Sequence, residues 1–394
     1  MSVSPRSAAN PFRYGEVVAS DTFADRASEI AELLGHFNSG QNVVLISPRR
    51  FGKTSLILKA AELARRDGAL VAYLDLFRAP TPERLAHVMA QAIHEGLVAP
   101  IERVWQRAVA VFDHLPLRPR ITVSSDGIPT LELSVAERQR DVDQTIEQLL
   151  QIPQRVAEQR KRPVVFIIDE LQEIVTIDPG LPRVLRSAVQ MQPDVAHVFL
   201  GSRRHLMQSL FTDENQPLYR SARPFPLGPI PRDQFAGFIR ERFQATGRSL
   251  SEDALTSVLD ITEGHPHDTQ ELCSFVWALA SPRTSITPAH VTVAAERVIE
   301  AEHARLSELW SGLSAAQRAL LAAIAQDGRA VYSEQFRRTH RLGAASTVQR
   351  SVSRLTQLDL VERTQDDRLR IADTFLRLWV RRAILGVPLR PEGA

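Results

Sequence analysis

Cysteine and lysine are the residues this 394-residue chain almost does without. Cys273 is the only cysteine, so no intramolecular disulfide and no cysteine-based zinc site can form. A reducing environment suits such a chain, and a cytoplasmic location is the expectation. No apolar run approaches the roughly 20 residues needed to cross a bilayer, so no membrane role is expected. The first residues, MSVSPRSAANPF, lack the apolar stretch of a secretory signal. Of 48 basic residues only Lys53, Lys59 and Lys161 are lysines, the rest being arginines. Such a bias reflects base composition more than function. It makes Lys53 conspicuous, because a residue type otherwise avoided sits where triphosphate chemistry needs an ammonium.

What is present is ordinary in bulk. Hydrophobic residues at 44% and charged residues at 24% place the chain among soluble globular proteins, and its length allows two or three domains. The net charge of +2 is unevenly spread. From Ser311 onward 14 arginines face 8 acids, a surplus of +6, so residues 1–310 sum to −4. No internal repeat or low-complexity segment interrupts the pattern.

Short apolar runs alternate with helical spacing in the first half. VVLI (43–46), LVAYLD (70–75), RPVVFII (162–168) and AHVFLG (196–201) read as strands. SLILKAAELARRDG follows the first strand with Leu56, Ala60 and Leu63 on one helical face, widened by Ile57, Ala61 and Ala64, and stops at Gly68. Strands separated by helices indicate an α/β fold around a parallel sheet. A long insertion separates the second and third strands. Within it RITVSSDGIPTLELS (120–134) reads as a β-hairpin turning at Asp126-Gly127, with helices on either side. Beyond Pro231 only helices are expected: 232–246, 251–261, 267–280 after the break at Gly264-His265-Pro266, and one from the Thr287-Pro288 cap to about Trp310. Ser314 to Gln317 is a capping box that opens another helix. Helices and a short β-wing (360–372) then follow in the order of a winged helix-turn-helix.

The chemistry lies in SPRRFGKTS, directly after the first strand and before the first amphipathic helix. A phosphate-binding loop is Gly, four residues, then Gly-Lys-Ser/Thr. Ser47, Pro48, Arg49, Arg50, Phe51, Gly52, Lys53, Thr54 and Ser55 fill this frame, with Ser47 in place of the first glycine. The loop works through backbone N–H groups aimed at phosphate oxygens and the positive end of the following helix. Gly52 avoids collision with the phosphates, Lys53 reaches the β- and γ-phosphates, and Thr54 is placed to ligate magnesium. The first position only starts the turn, so a small Ser47 weakens the motif more than the chemistry. A lone Gly-Lys-Thr is a weak signal, but VVFIIDE (164–170) strengthens it. Asp169 at the end of a buried strand would hold the magnesium with Thr54, and Glu170 would polarise the attacking water. Ser202, after the neighbouring strand, is a candidate contact to the γ-phosphate or that water.

NPFRYGEVV, FADRASEI, SPRRFGKTSL, IIDELQEI, the GS of VFLGSRR, PLYRSARPFPLGPI and TEGHPHDTQEL, in this order, resemble the archaeal-type ATPases. These are AAA-like P-loop NTPases related to the STAND signalling ATPases and to origin-recognition proteins. The likeness spans about residues 10–380, and its ordered set of motifs is more specific than any single one. Loops of that family often begin Gly-Pro-Arg-Arg, so Ser47 departs from the pattern while Pro48, Arg49 and Arg50 match it. The resemblance implies a P-loop core over 1–230 with an inserted segment at about 90–160, a helical lid over 231–305 and a winged helix over 306–394. It also implies ATP and Mg2+ as ligands, ADP as product, Phe23 and Arg26 near the adenine, and Pro266 close to the nucleotide. An arginine supplied to the γ-phosphate is expected in this class, with Arg203, Arg220 and Arg223 as candidates. His265 and His267, two apart and without a third ligand, read as a polar loop rather than a zinc site.

In the winged module the third helix is ASTVQRSVSRLTQLD (345–359). Val348, Val352 and Leu355 form its core stripe, which leaves Gln349, Arg350 and Arg354 outward as residue types that contact double-stranded DNA. The local positive surplus favours that partner. Asp366 and Asp367 in the wing oppose it, and a protein partner stays open, as does an oligomer. Two functions follow: an ATPase that couples nucleotide state to lid and winged-helix movement on a partner, or a nucleotide-gated DNA-binding regulator with little turnover.

Overall fold

The computed structural model describes residues 9–15, 26–47, 50–99, 115, 119–123, 129–133, 139–364 and 366–389. It divides into two compact units. One comprises Arg26–Arg49 and Lys53–Gly228; the other comprises Met1–Asp25, Arg50–Gly52 and Pro229–Ala394.

The first unit is built on a five-stranded parallel sheet. Its strands are β1 (Val43–Ile46), β2 (Leu70–Asp75), β5 (Val164–Asp169), β6 (Val195–Gly201) and β7 (Arg223–Pro226), while β3 (Pro119–Val123) and β4 (Pro129–Leu133) pair separately as an antiparallel ribbon. The order across the sheet is β2-β5-β6-β1-β7. Every residue of β5 and β6 is buried, as unbroken apolar runs require in a sheet covered on both faces. The helix Lys53–Arg66 buries Leu56, Ile57, Ala60, Ala61 and Ala64 of the stripe expected from its spacing, while Leu63 is only half-buried. The Gln139–Arg160 helix and the β3–β4 ribbon occupy the expected insertion, although the turn at Asp126-Gly127 lies outside the described residues.

Four strands were legible and β7 was not. Its sequence, Arg-Pro-Phe-Pro, carries two prolines and buries only Phe225, so it has neither an apolar run nor strand propensity. It exists because β1 offers a free side, with Val43 opposite Arg223 and Ile46 opposite Pro226.

The second unit is helical, apart from the short pairs β8 (Ser249–Leu250) with β9 (Ser285–Ile286) and β10 (Val361–Arg363) with β11 (Leu369–Ile371). One apolar core runs from Ile230 and Phe235 through Leu272 and Val298 to Leu355, Phe375 and Val380, across both segments expected as lid and winged helix. Caps sit where the sequence places them: Ser251 accepts from the Ala254 N–H, and Ser314 and Gln317 form the reciprocal capping box.

The helix expected from Pro288 to about Trp310 is two helices, Pro288–Ala301 and His303–Ser311. Glu302, at ψ −3°, turns the backbone between them, and its carboxylate pairs with Arg305. No glycine or proline marks that turn, so the spacing alone does not show it. After the wing a further helix, Thr374–Trp379, buries Phe375, Leu376, Leu378 and Trp379.

Candidate functional site

The site forms at the carboxyl ends of β1, β5 and β6, where a parallel sheet presents its ligands. Ser47 follows β1 directly and is buried. Gly52 takes φ 79°, in the left-handed region, and hands the chain to the helix that starts at Lys53. The Lys53 side chain folds back so that its ammonium donates to the Ser47 carbonyl at 2.9 Å, and the residue is only 7% exposed. A buried ammonium at the positive end of a helix is costly unless an anion meets it, which is what a phosphate would supply. Pro48, Arg49 and Phe23 lie outside the described residues.

Thr54 begins the same helix and donates its hydroxyl to Asp169 Oδ2 at 3.1 Å. The Thr54 hydroxyl and the Asp169 carboxylate thus lie side by side. Asp169 is buried at the end of β5, and its Oδ1 accepts the Glu170 N–H at 2.8 Å. Glu170 adopts the left-handed conformation, φ 53° and ψ 41°, which swings its side chain away from the strand direction. Its Oε2 accepts from the Ser202 hydroxyl at 2.9 Å and from the Gln172 amide. No hydrogen bond to Oε1 occurs among the described residues. Ser202 therefore sits on the carboxylate expected to orient water, one step away from the contact anticipated for it.

Two members of this group have no signal in the sequence. Tyr73, two residues before the end of β2, donates its hydroxyl to Asp169 Oδ2 at 2.5 Å. Burial and the neighbouring Asp169 push its phenol above the usual range, so it stays a donor. Gln172, buried in the turn after β5, holds Glu170. Asp75 stands opposite Asp169 in the β2–β5 register, and burial followed by the charges of Asp169 and Glu170 raises its carboxyl. The charges of Asp169 and Glu170 thus act on Asp75 across the neighbouring strand end.

Other expected residues have protein surroundings of their own. Arg26 is buried, pairs with Glu29 at 3.0 Å and donates to the Gly228 carbonyl at 2.9 Å, so its guanidinium is engaged with protein. Among the arginine candidates, Arg203 pairs weakly with Glu173 at 4.0 Å, Arg220 lies over the Tyr219 ring, and Arg223 is exposed at the start of β7. Within the second unit, which includes the loop tip Arg50–Gly52, the Phe51 ring meets His265 edge-on at 4.6 Å. Pro266 occupies the first turn of the Pro266–Leu279 helix, which His265 caps. On the Ala345–Gln357 helix Val348, Val352 and Leu355 are buried, while Gln349, Arg350 and Arg354 are exposed.

No curated protein matches the chain significantly. Among solved structures, a Walker-type ATPase of Pyrococcus abyssi is 15% identical with a TM-score of 0.62, over 92% of this chain and 97% of that one. The ORC2 protein of Aeropyrum pernix, in ADPNP–ADP complexes, is 15% identical with a TM-score of 0.51, over 95% and 98%. At such identity these likenesses speak for the fold. Residues 304–382 match the model of a probable winged helix domain. Residues 23–272 match the model of the ATPase domain predominantly from Archaea, and by that match the chain belongs to this ATPase family.

Proposed function

We propose that the chain binds ATP with magnesium at the Ser47–Ser55 loop and hydrolyses the bond between its β- and γ-phosphates. The observation that carries this reading is the Thr54 hydroxyl on Asp169, beside a Glu170 carboxylate with one oxygen unclaimed. Thr54 and Asp169 would hold the magnesium, which supplies charge neutralisation on the phosphates. Lys53 and the N–H groups of the helix start bind the triphosphate. Ser202 and Gln172 fix Glu170 so that Oε1 orients and polarises the attacking water. The ADPNP–ADP complexes of the structurally similar ORC2 protein support a nucleotide as ligand.

The proposed output is movement of the helical and winged segments on a partner, with the Phe51 ring against His265 as the contact that senses the loop. Glu170→Gln tests the assignment. The amide keeps the shape and cannot take a proton, so ATP binding should persist while steady-state phosphate release falls by at least about 100-fold. Hydrolysis at the wild-type rate would remove Glu170 from the mechanism.

A second reading, a nucleotide-gated DNA binder with little turnover, draws on the exposed Arg350 and Arg354. The wing weighs against it, because Arg363 pairs with Asp367 and Arg368 with Asp366. Those pairs neutralise the arginines that would otherwise meet DNA phosphates.

A further inference from the structure

The start of the Pro266–Leu279 helix carries a group that the nucleotide chemistry does not use. His267 Nδ1 lies 3.2 Å from Asp268 Oδ1 and 3.7 Å from Glu271 Oε2. The three ligand atoms all fall within 4.8 Å of one another. We propose that His267, Asp268 and Glu271 form a binding site for one transition-metal dication of the zinc type in the second unit.

Geometry is the first support. A tetrahedral ion with bonds of about 2.0–2.2 Å holds its ligands roughly 3.4 Å apart. The two measured separations bracket that value, so small side-chain shifts would close the set around an ion. Helical spacing places His267 and Glu271 one turn apart on one face, with Asp268 beside them.

The second support is independent of spacing. Asp268 is 3% exposed and Glu271 is 5% exposed. Glu271 makes no hydrogen bond among the described residues, and its one close charged partner is the His267 ring at 3.7 Å. The charged groups that act on it most are Glu302, Asp268 and Asp373, all negative, and Arg50. Glu302 and Asp373 are both taken up by Arg305. A buried carboxylate left in this state is expensive, and a coordinated dication offsets it directly.

The surroundings also suit ligation. Asp268 Oδ2 accepts the Thr374 N–H at 3.4 Å, and His265 Nδ1 lies 3.2 Å from Asp268 Oδ1. The Thr374 N–H thus holds the Asp268 carboxylate from outside, as outer partners do at metal sites. One imidazole with two carboxylates favours zinc, iron, nickel or manganese over calcium. The histidine pair two residues apart is thus not the ligand set; His267 works with carboxylates the sequence did not connect to it.

The test uses the full chain stripped with chelator, in an Asp169→Asn background that silences the expected magnesium site. Zinc is added and bound metal is counted by mass spectrometry after gel filtration. One ion per chain is expected, with at least a 100-fold loss of affinity in His267→Asn and in Glu271→Gln. Circular dichroism without metal checks that each variant is folded. Should His267→Asn fail to fold, Glu271→Gln decides, since the amide keeps its shape and loses only the charged ligand. No bound ion in the parent chain, or equal affinity in the folded variants, would overturn the site and leave His267 as a polar partner of the two carboxylates. ATP binding by the wild-type P-loop is measured in parallel, so failure here leaves the ATPase reading intact.

Discussion

His197 should make the first unit fragile to mild acid. It lies in the middle of β6, opposite Phe166 of β5, with Phe166 and Phe199 rings each 6.2 Å away. It is fully buried, and burial lowers its pKa from the usual 6.5 to about 4. In the unfolded chain the ring titrates near 6.5. Between these values the unfolded state binds a proton that the native state refuses, so stability rises with pH across the window. The contribution is complete above about pH 6.5 and is lost as pH falls through about 4, a total of about 3 kcal/mol. Urea unfolding of wild type and His197→Gln at intervals from pH 4 to 7.5 measures it. Other titrating groups are common to both proteins and cancel in the difference. Wild type should lose about 3 kcal/mol more than the variant over that range. Parallel stability curves would refute the reasoning, and would mean that Asn42 and Gln192, each 3.1 Å from a ring nitrogen, accommodate the charged ring.

Lys53→Ala should abolish thermal stabilisation by ATP with magnesium; at 100 times the dissociation constant wild type should gain about 2.7 kcal/mol, seen as a rise in Tm. Tyr73→Phe removes a part-buried hydrogen bond to a carboxylate, so chemical denaturation should show a loss of about 1–3 kcal/mol. For the DNA-binding reading, Arg350→Ala with Arg354→Ala should lower the slope of log affinity against log salt by about 0.9 per lost phosphate contact. Binding of duplex that is equal in wild type and double variant at every salt would show that this helix is not a groove reader.

Much of the architecture is legible because local pattern and burial coincide. VVFII is apolar throughout and, with Asp169 at its end, forms a fully buried interior strand. Lys53, Thr54, Asp169 and Glu170 stand out as candidates in the sequence because a loop after one strand and an acidic pair at the end of another are local patterns. The rest depends on register. Tyr73 reaches Asp169 only because β2 pairs with β5, and nothing within LVAYLD announces that neighbour. Gln172 acts through a turn that depends on the left-handed backbone of Glu170. The break at Glu302 escaped because AEHA contains no helix breaker, and β7 because its prolines argue against a strand.

Those prolines have a consequence for assembly. β7 ends the sheet, and an open edge normally invites a strand from another chain. Arg223 donates its N–H inward to the Asn42 carbonyl at 2.9 Å. Alternation along the strand then turns the nitrogens of Pro224 and Pro226 outward, where proline has no hydrogen to offer. At the opposite edge the turn at His94–Val98 lies so close to β2 that a Cβ on Gly96 would come within 2.4 Å of the Val71 carbonyl. One border of the sheet lacks outward N–H donors at its two prolines, and the other is approached by chain at Val71 and Ala72. With two outward donors missing, β7 is a poor template for pairing with a strand of another chain.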